Sequence, residues 1–175
     1  MVEIAPLAVA GIDLAAGTTP VSGHVRGAAV TLAPAADLQR LSLRARDPQV
    51  LAGALGRPLP QAINTHADGI ARLGPDEWYA LMAQPLAVPP TAGALSVVDV
   101  SARAVGFTLE GPGAAAALMR GCPLDIARFA QGRATRTVFE AVEIQIWATA
   151  PGAFHVEVWR SFSHWLWHAL AEAIG

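Results

Sequence analysis

The stretch Leu41-Ser42-Leu43-Arg44-Ala45-Arg46-Asp47-Pro48, continuing to Leu55-Gly56-Arg57-Pro58-Leu59, has a later echo in Phe107-Thr108-Leu109-Glu110-Gly111-Pro112 and Gly121-Cys122-Pro123-Leu124. Each copy reads as a strand, a turn, a short helix and a stop. Leu41 and Leu43 alternate as on a strand with one buried face. Asp47 suits a helix N-cap because its carboxylate accepts from an orphaned backbone N–H, and Pro48 suits the first helical position. Gly56 can take the left-handed conformation that ends a helix. Pro48 and Pro112 are 64 residues apart, and Pro58 and Pro123 are 65 apart. That period predicts a duplicated strand–helix–strand–strand unit and an α+β fold.

Working outward, the first half reads as strands Val25–Leu32 and Leu38–Leu43, a helix Gln49–Leu55, and a hairpin of Ile70–Leu73 with Trp78–Met82. The hairpin turns at Gly74-Pro75-Asp76-Glu77, where proline presets φ. A Pro/Gly-rich stretch, Pro85–Gly93, divides the halves. The second half reads as strands Leu95–Val100 and Val105–Leu109, a helix Ala114–Arg120, strands Ala134–Phe139, Val142–Trp147 and Phe154–Val158, and a final helix Phe162–Ile174. The predicted organisation is an irregular arm at 1–20 and one α+β domain at 21–175, with pseudo-repeats at about 25–84 and 94–175. The arm carries Ile4, Leu7, Val9, Ile12 and Leu14. Packing on a partner, packing on its own domain and disorder are all open to it.

Composition narrows the function. All 12 basic residues are Arg, so every mechanism that needs a lysine is excluded. Net charge is −2, with no basic stripe for nucleic acid. Cys122 is the single cysteine, which rules out an internal disulfide and suits a reducing compartment. Met1-Val2-Glu3-Ile4-Ala5-Pro6 has no basic segment and does not read as a signal peptide, so a cytoplasmic chain without a membrane span is expected. The chain is 53% hydrophobic and 15% charged, against roughly 25% charged in average domains. Alanine accounts for part of this. Four of the five Trp lie in the last third. Together these predict apolar surface reserved for a partner chain.

Reactive constellations are few. In the last helix, Phe162, Trp165, Leu166, Ala169, Leu170, Ala173 and Ile174 form a core-facing stripe, with Ser161 as its cap. His164, His168 and Glu172 share the other face at metal-ligand spacing, but a solvated polar face is the reading preferred. Trp167 falls on that polar face, and with Trp147 and Trp159 it is a candidate partner anchor. Gly111-Pro112-Gly113 lacks the rest of a phosphate-loop pattern and reads as a tight turn. Cys122 has no His near it in sequence and sits at a negative helix end, so it reads as a packed residue. Asp99 and Ser101 suit a turn, and Arg103, Arg136 and Arg160 suit ion pairing at a surface or interface.

Read in order, Leu73-Gly74-Pro75-Asp76-Glu77-Trp78, Val98-Asp99-Val100-Ser101, Gly121-Cys122-Pro123-Leu124-Asp125, Arg136-Thr137 and Arg160-Ser161-Phe162 with Trp165 resemble the gamma subunit of heterotetrameric sarcosine oxidase. The resemblance covers roughly residues 25–172. It implies a T-protein-like folate-binding domain fold and a place beside larger flavoprotein chains. Those chains would carry FAD, FMN, NAD and tetrahydrofolate in a complex that oxidatively demethylates sarcosine. T-proteins place an Asp in a loop between two strands. The corresponding Phe139-Glu140-Ala141-Val142-Glu143 has none, so no catalytic, cofactor-binding or metal residue carries over. A free-standing folate-dependent one-carbon transferase and a subunit acting on another N-methyl amine are the alternatives.

Overall fold

Alternation along the strands sorts the side chains into layers. On β3 (Gln39–Ala45), Leu41, Leu43 and Ala45 are buried on one face, while Arg40, Ser42 and Arg44 point the other way. The computed structural model describes residues 20–87 and 94–175, so the predicted arm lies outside the described residues except for Pro20, and most of the Pro/Gly-rich divider lies outside them too. In chain order the elements are β1 (Val21–Val25), β2 (Ala28–Pro34), β3, α1 (Pro48–Leu55), β4 (Thr65–Ala67), β5 (Ile70–Arg72), β6 (Glu77–Met82), β7 (Leu95–Asp99), β8 (Ala104–Glu110), α2 (Ala114–Leu118), β9 (Ala134–Phe139), β10 (Val142–Ala150), β11 (Ala153–Trp159) and α3 (Ser163–Ile174).

They build two antiparallel sheets, ordered β1-β2-β8-β11-β10-β9 and β4-β5-β6-β3-β7. The outer face of the first packs on α2 and α3, with Phe107, Leu118, Ile146, Leu166 and Leu170 in its core. The outer face of the second packs on α1, around Leu41, Leu43, Leu51 and Trp78. A smaller cluster of Ala71, Tyr79, Val100, Ala134 and Trp147 fills part of the space between the sheets. Where β4 meets β9 the sheets are joined directly: His66 N–H donates to the Gly132 carbonyl at 2.6 Å and Ala134 N–H to the Asn64 carbonyl at 3.1 Å.

The orders β4-β5-β6-β3 and β9-β10-β11-β8 correspond strand for strand, with α1 and α2 in equivalent places. The fifth strand of each set is exchanged. β2 leads into the first half but pairs with β8, and β7 leads into the second half but pairs with β3.

α1 forms as its sequence requires: the Asp47 carboxylate accepts from Gln49 N–H at 2.8 Å, Pro48 is its first residue, and Gly56 closes it at φ 65°. Other expectations need correction. Val25–Leu32 is two strands, because Arg26 (φ 51°) and Gly27 (φ 80°) form a two-residue turn. Strand β4 is an addition to the expected elements. α2 stops at Leu118 rather than Arg120, since the N–H groups of Arg120 and Gly121 reach back only three residues. On α3 the buried line is Ser163, Leu166, Trp167, Leu170, Ala173 and Ile174. The stripe is therefore rotated from the one expected, which leaves Phe162 and Trp165 exposed and takes Trp167 inside. Ser161 does not cap it. A 3-10 turn at Arg160–Phe162 leads in, and the Ser163 hydroxyl donates to the Arg160 carbonyl.

Candidate functional site: the cleft between the sheets

The inward faces of the strands carry a set of charged and polar residues, with Trp159 at one end. β3 contributes Arg40 and Ser42, β6 contributes Glu77 and Tyr79, β9 Arg136, β10 Glu143 and Gln145, and β11 His155, Glu157 and Trp159. Part of this layer is open as a cleft of about 280 Å³, bounded on its other sides by Val98, Val100 and Arg103.

At its floor lies a buried charge pair. Arg40 Nε donates to Glu157 Oε2 at 2.7 Å and Nη2 to Oε1 at 3.0 Å, a bidentate bond between the two sheets. His155 Nε2 lies 2.6 Å from Glu157 Oε1. Burial alone would push the Glu157 carboxyl up. Its bonds from His155 and Arg40 outweigh that and hold it below the ordinary carboxylate range. Arg40 also loses hydration, yet its bond to Glu157 keeps it charged. Burial, then the Glu157 charge, push the Tyr79 hydroxyl up, so it stays protonated. Gly106 on β8 makes room for the cluster: a Cβ there would fall 2.6 Å from both Glu157 Oε1 and the His155 ring.

At the mouth, Glu77 pairs with Arg136 and, at 3.3 Å, with Arg44. The bond to Glu77 holds the Arg136 guanidinium firmly charged. Arg136 Nε also lies 3.6 Å from Glu143. Arg103 instead lies over Trp159, 5.0 Å from the ring centre.

The residues singled out from sequence fall in several places. Trp147 (2% exposed) packs inside the chain against His66 and Tyr79, and Trp167 (7%) packs against Phe107. Their own core accounts for both, and placing Trp167 on a polar face is corrected. Trp159 is 37% exposed at the cleft rim, with Phe162 (45%) and Trp165 (39%) following it on the surface. Arg103 and Arg136 line the cleft, while Arg160 donates to the Ala102 carbonyl beside it. Asp99 accepts from Ser101 N–H, a turn bond, and bonding to Ser101 lowers its carboxyl. Cys122 is buried, 3.7 Å from the Thr137 hydroxyl. Gly111-Pro112-Gly113 offers no phosphate cradle. The N–H groups of Gly111, Gly113 and Ala114 already donate to Gly152, Ala29 and Gly111, and a Cβ at Gly113 would lie 2.5 Å from the Ala28 carbonyl oxygen. His164 and His168 are neighbours at 5.7 Å between ring centres, and among the described residues no group of three or more His, Cys, Asp or Glu is arranged to hold a metal. No described helix is long and apolar enough to cross a membrane.

Sequence reasoning missed Arg40, Gly106, Tyr79, His155 and Glu157. The available signal was in Phe154–Trp159, where two ionisable residues alternate with buried apolar ones and so must share an inward face.

The chain is 33% identical over 165 residues to sarcosine oxidase subunit gamma of Corynebacterium sp. (strain U-96), a match spanning 82% of this chain and 80% of that one. It belongs to the sarcosine oxidase gamma-subunit family. A second gamma subunit, from Arthrobacter sp, is 32% identical over 139 residues, covering 70% of this chain and 68% of its relative. No protein-family model matches the chain. Among solved structures, a chain of the heterotetrameric sarcosine oxidase from Corynebacterium sp. U-96 in complex with pyrrole 2-carboxylate superposes with TM-score 0.72 and 27% identity, over 87% of each chain. Glycine cleavage system aminomethyltransferase T from Bartonella henselae gives TM-score 0.59 at 13% identity, over 79% of this chain and 44% of that one, which is a likeness of fold. The gamma-subunit resemblance and the α+β, T-protein-like fold read from sequence are both borne out.

Proposed function

We propose that this chain is a small, non-catalytic structural subunit of a flavin-dependent sarcosine oxidase-type complex, in which larger chains bind FAD, FMN, NAD and tetrahydrofolate and oxidatively demethylate sarcosine. The observation that carries this reading is the relationship to gamma subunits over four-fifths of the chain. The chemistry of the cleft supports it. Glu157 is spent on Arg40 and His155, and Glu77 on Arg136 and Arg44, so neither stands ready as an acid or base. The surface also supports it, because Trp159, Phe162 and Trp165 offer the aromatic area that anchors a protein interface. Trp159, and not the buried Trp147 or Trp167, is the anchor in this reading. Residues 21–175 form one domain of two related halves in this reading. The single cysteine fits a complex kept in the cytoplasm.

The test is purification of the tagged chain from its own cells. A yellow complex containing larger flavoprotein chains is the expected result. A colourless chain without partners would overturn the proposal, and tight tetrahydrofolate binding by that lone chain would favour the one-carbon transferase instead.

A further inference from the structure

The cleft is lined by three carboxylates, and each has a cation beside it: Glu157 has Arg40, Glu77 has Arg136 and Arg44, and Glu143 has Arg136. The donors are less fully used. Among the described residues Arg103 makes no ion pair. It stacks on Trp159 and is exposed. Gln145 accepts from Trp147 Nε1 through its oxygen, and its NH₂ group has no acceptor among the described residues. The Ser42 hydroxyl, on the facing sheet, is likewise without a hydrogen bond there. Unused donors, one of them cationic, call for an occupant that brings acceptors and negative charge.

The walls specify the rest. Val98 (48% exposed) and Trp159 (37% exposed) give the cleft an exposed apolar wall beside its charged mouth. A free ion would leave that wall wet. A side chain with an apolar stem and a carboxylate tip would fill both. Phe162 and Trp165, also exposed, follow Trp159 in the chain and add aromatic surface that a small molecule held in the cleft would leave uncovered.

We infer that this cleft is a socket for a carboxylate side chain, Asp or Glu, on a segment of the larger partner chain, gripped by Arg103 with Gln145 and Ser42 and covered by Trp159. The inference rests on the subunit reading above. Arg103 and Trp159 are positioning residues for assembly. They take no part in the reaction.

The experiment measures assembly of the tagged chain with the larger chains of its complex, as wild type and as Arg103→Gln, Gln145→Leu and Trp159→Ala. Arg103→Gln should weaken association about 30-fold, the scale of a desolvated interface hot spot, and flatten the dependence of Kd on sodium chloride concentration. Purely structural damage would leave the salt dependence intact. Because Arg103 is exposed, Arg103→Gln should melt with the wild type, and that control is run on the same preparations; Gln145→Leu removes the partner of the buried Trp147 Nε1–H and Trp159→Ala removes a half-buried ring, so assembly of both is read well below their own melting points. Variants that assemble with unchanged Kd and salt dependence, while wild type also assembles, would overturn the socket and leave the subunit reading standing. Failure of the wild-type chain to assemble would overturn the subunit reading itself. Benzoate is the small-molecule probe: saturable binding to the isolated chain that persists undiminished in the complex would place a free ligand in the cleft and overturn the assignment to a protein segment.

Discussion

Replacing Arg40 by Met should destabilise the fold more than any surface change, and the geometry sets the size of the effect. Arg40 and Glu157 are both buried and share two hydrogen bonds across the sheets. Removing one member of such a pair strands the other charge in a medium that solvates it poorly, at about 3–5 kcal/mol. Here His155 still holds Glu157 Oε1 after the change, which favours the lower end of that range. For a chain of this size, about 3 kcal/mol is about 6–12 °C in melting temperature. Replacing both partners, Arg40→Met with Glu157→Leu, should recover most of the loss, since no charge is left without a counterion. Thermal and urea unfolding of the wild type, both single variants and the double variant complete the cycle. An Arg40→Met melting point within about 2 °C of wild type, or a double variant no better than the worse single, would refute the reasoning.

The same carboxyl predicts an acid limit: a depressed folded pKa stabilises above the ordinary value of 4.5 and is lost as pH falls through the folded value, so wild type should lose more stability below pH 4.5 than Glu157→Gln does, as read by melting across pH. Tyr79 acts with the opposite sign, because a raised folded pKa costs stability as pH climbs above the ordinary 10.0; Tyr79→Phe should melt at a more constant temperature from pH 9 to 11. Gly106→Ala should cost about 1–3 kcal/mol by overpacking the His155–Glu157 pair, measured by urea unfolding. Trp167→Ala should cost about 3–5 kcal/mol in the isolated chain, and Trp159→Ala clearly less because more than a third of that ring is already exposed, so equal losses at the two positions would contradict their assignment to core and surface.

The sequence speaks clearly where local chemistry decides structure. Asp47, Pro48 and Gly56 specify α1 at both ends without help from distant residues. The echo around Pro48 and Pro112 marks two strands, β3 and β8, that hold corresponding places in separate sheets. It falls silent where partners are far apart in the chain. Arg40 and Glu157 are 117 residues apart, and nothing local says that they meet. The last helix misleads for a different reason. Its aromatic residues at 162, 165 and 167 exceed what one stripe needs, so periodicity alone admits two phases, and tertiary packing against Phe107 selects the one that buries Trp167. The turn at Arg26-Gly27 was legible in principle, since glycine tolerates the positive φ such a turn demands, but the apolar residues on both sides disguised it as a single strand.

The exchange of β2 and β7 between the halves bears on how the chain comes off the ribosome. Strand β2 has to wait for β8, more than 70 residues later, before Val30 and Leu32 find their sheet. Until then the leading hairpin is an unclaimed ribbon with a greasy side, vulnerable to the wrong neighbour. Neither half can be cut free as an autonomous module, because each would leave carrying an edge strand that belongs to the other. Fragments divided between β6 and β7 should therefore regain structure only when mixed.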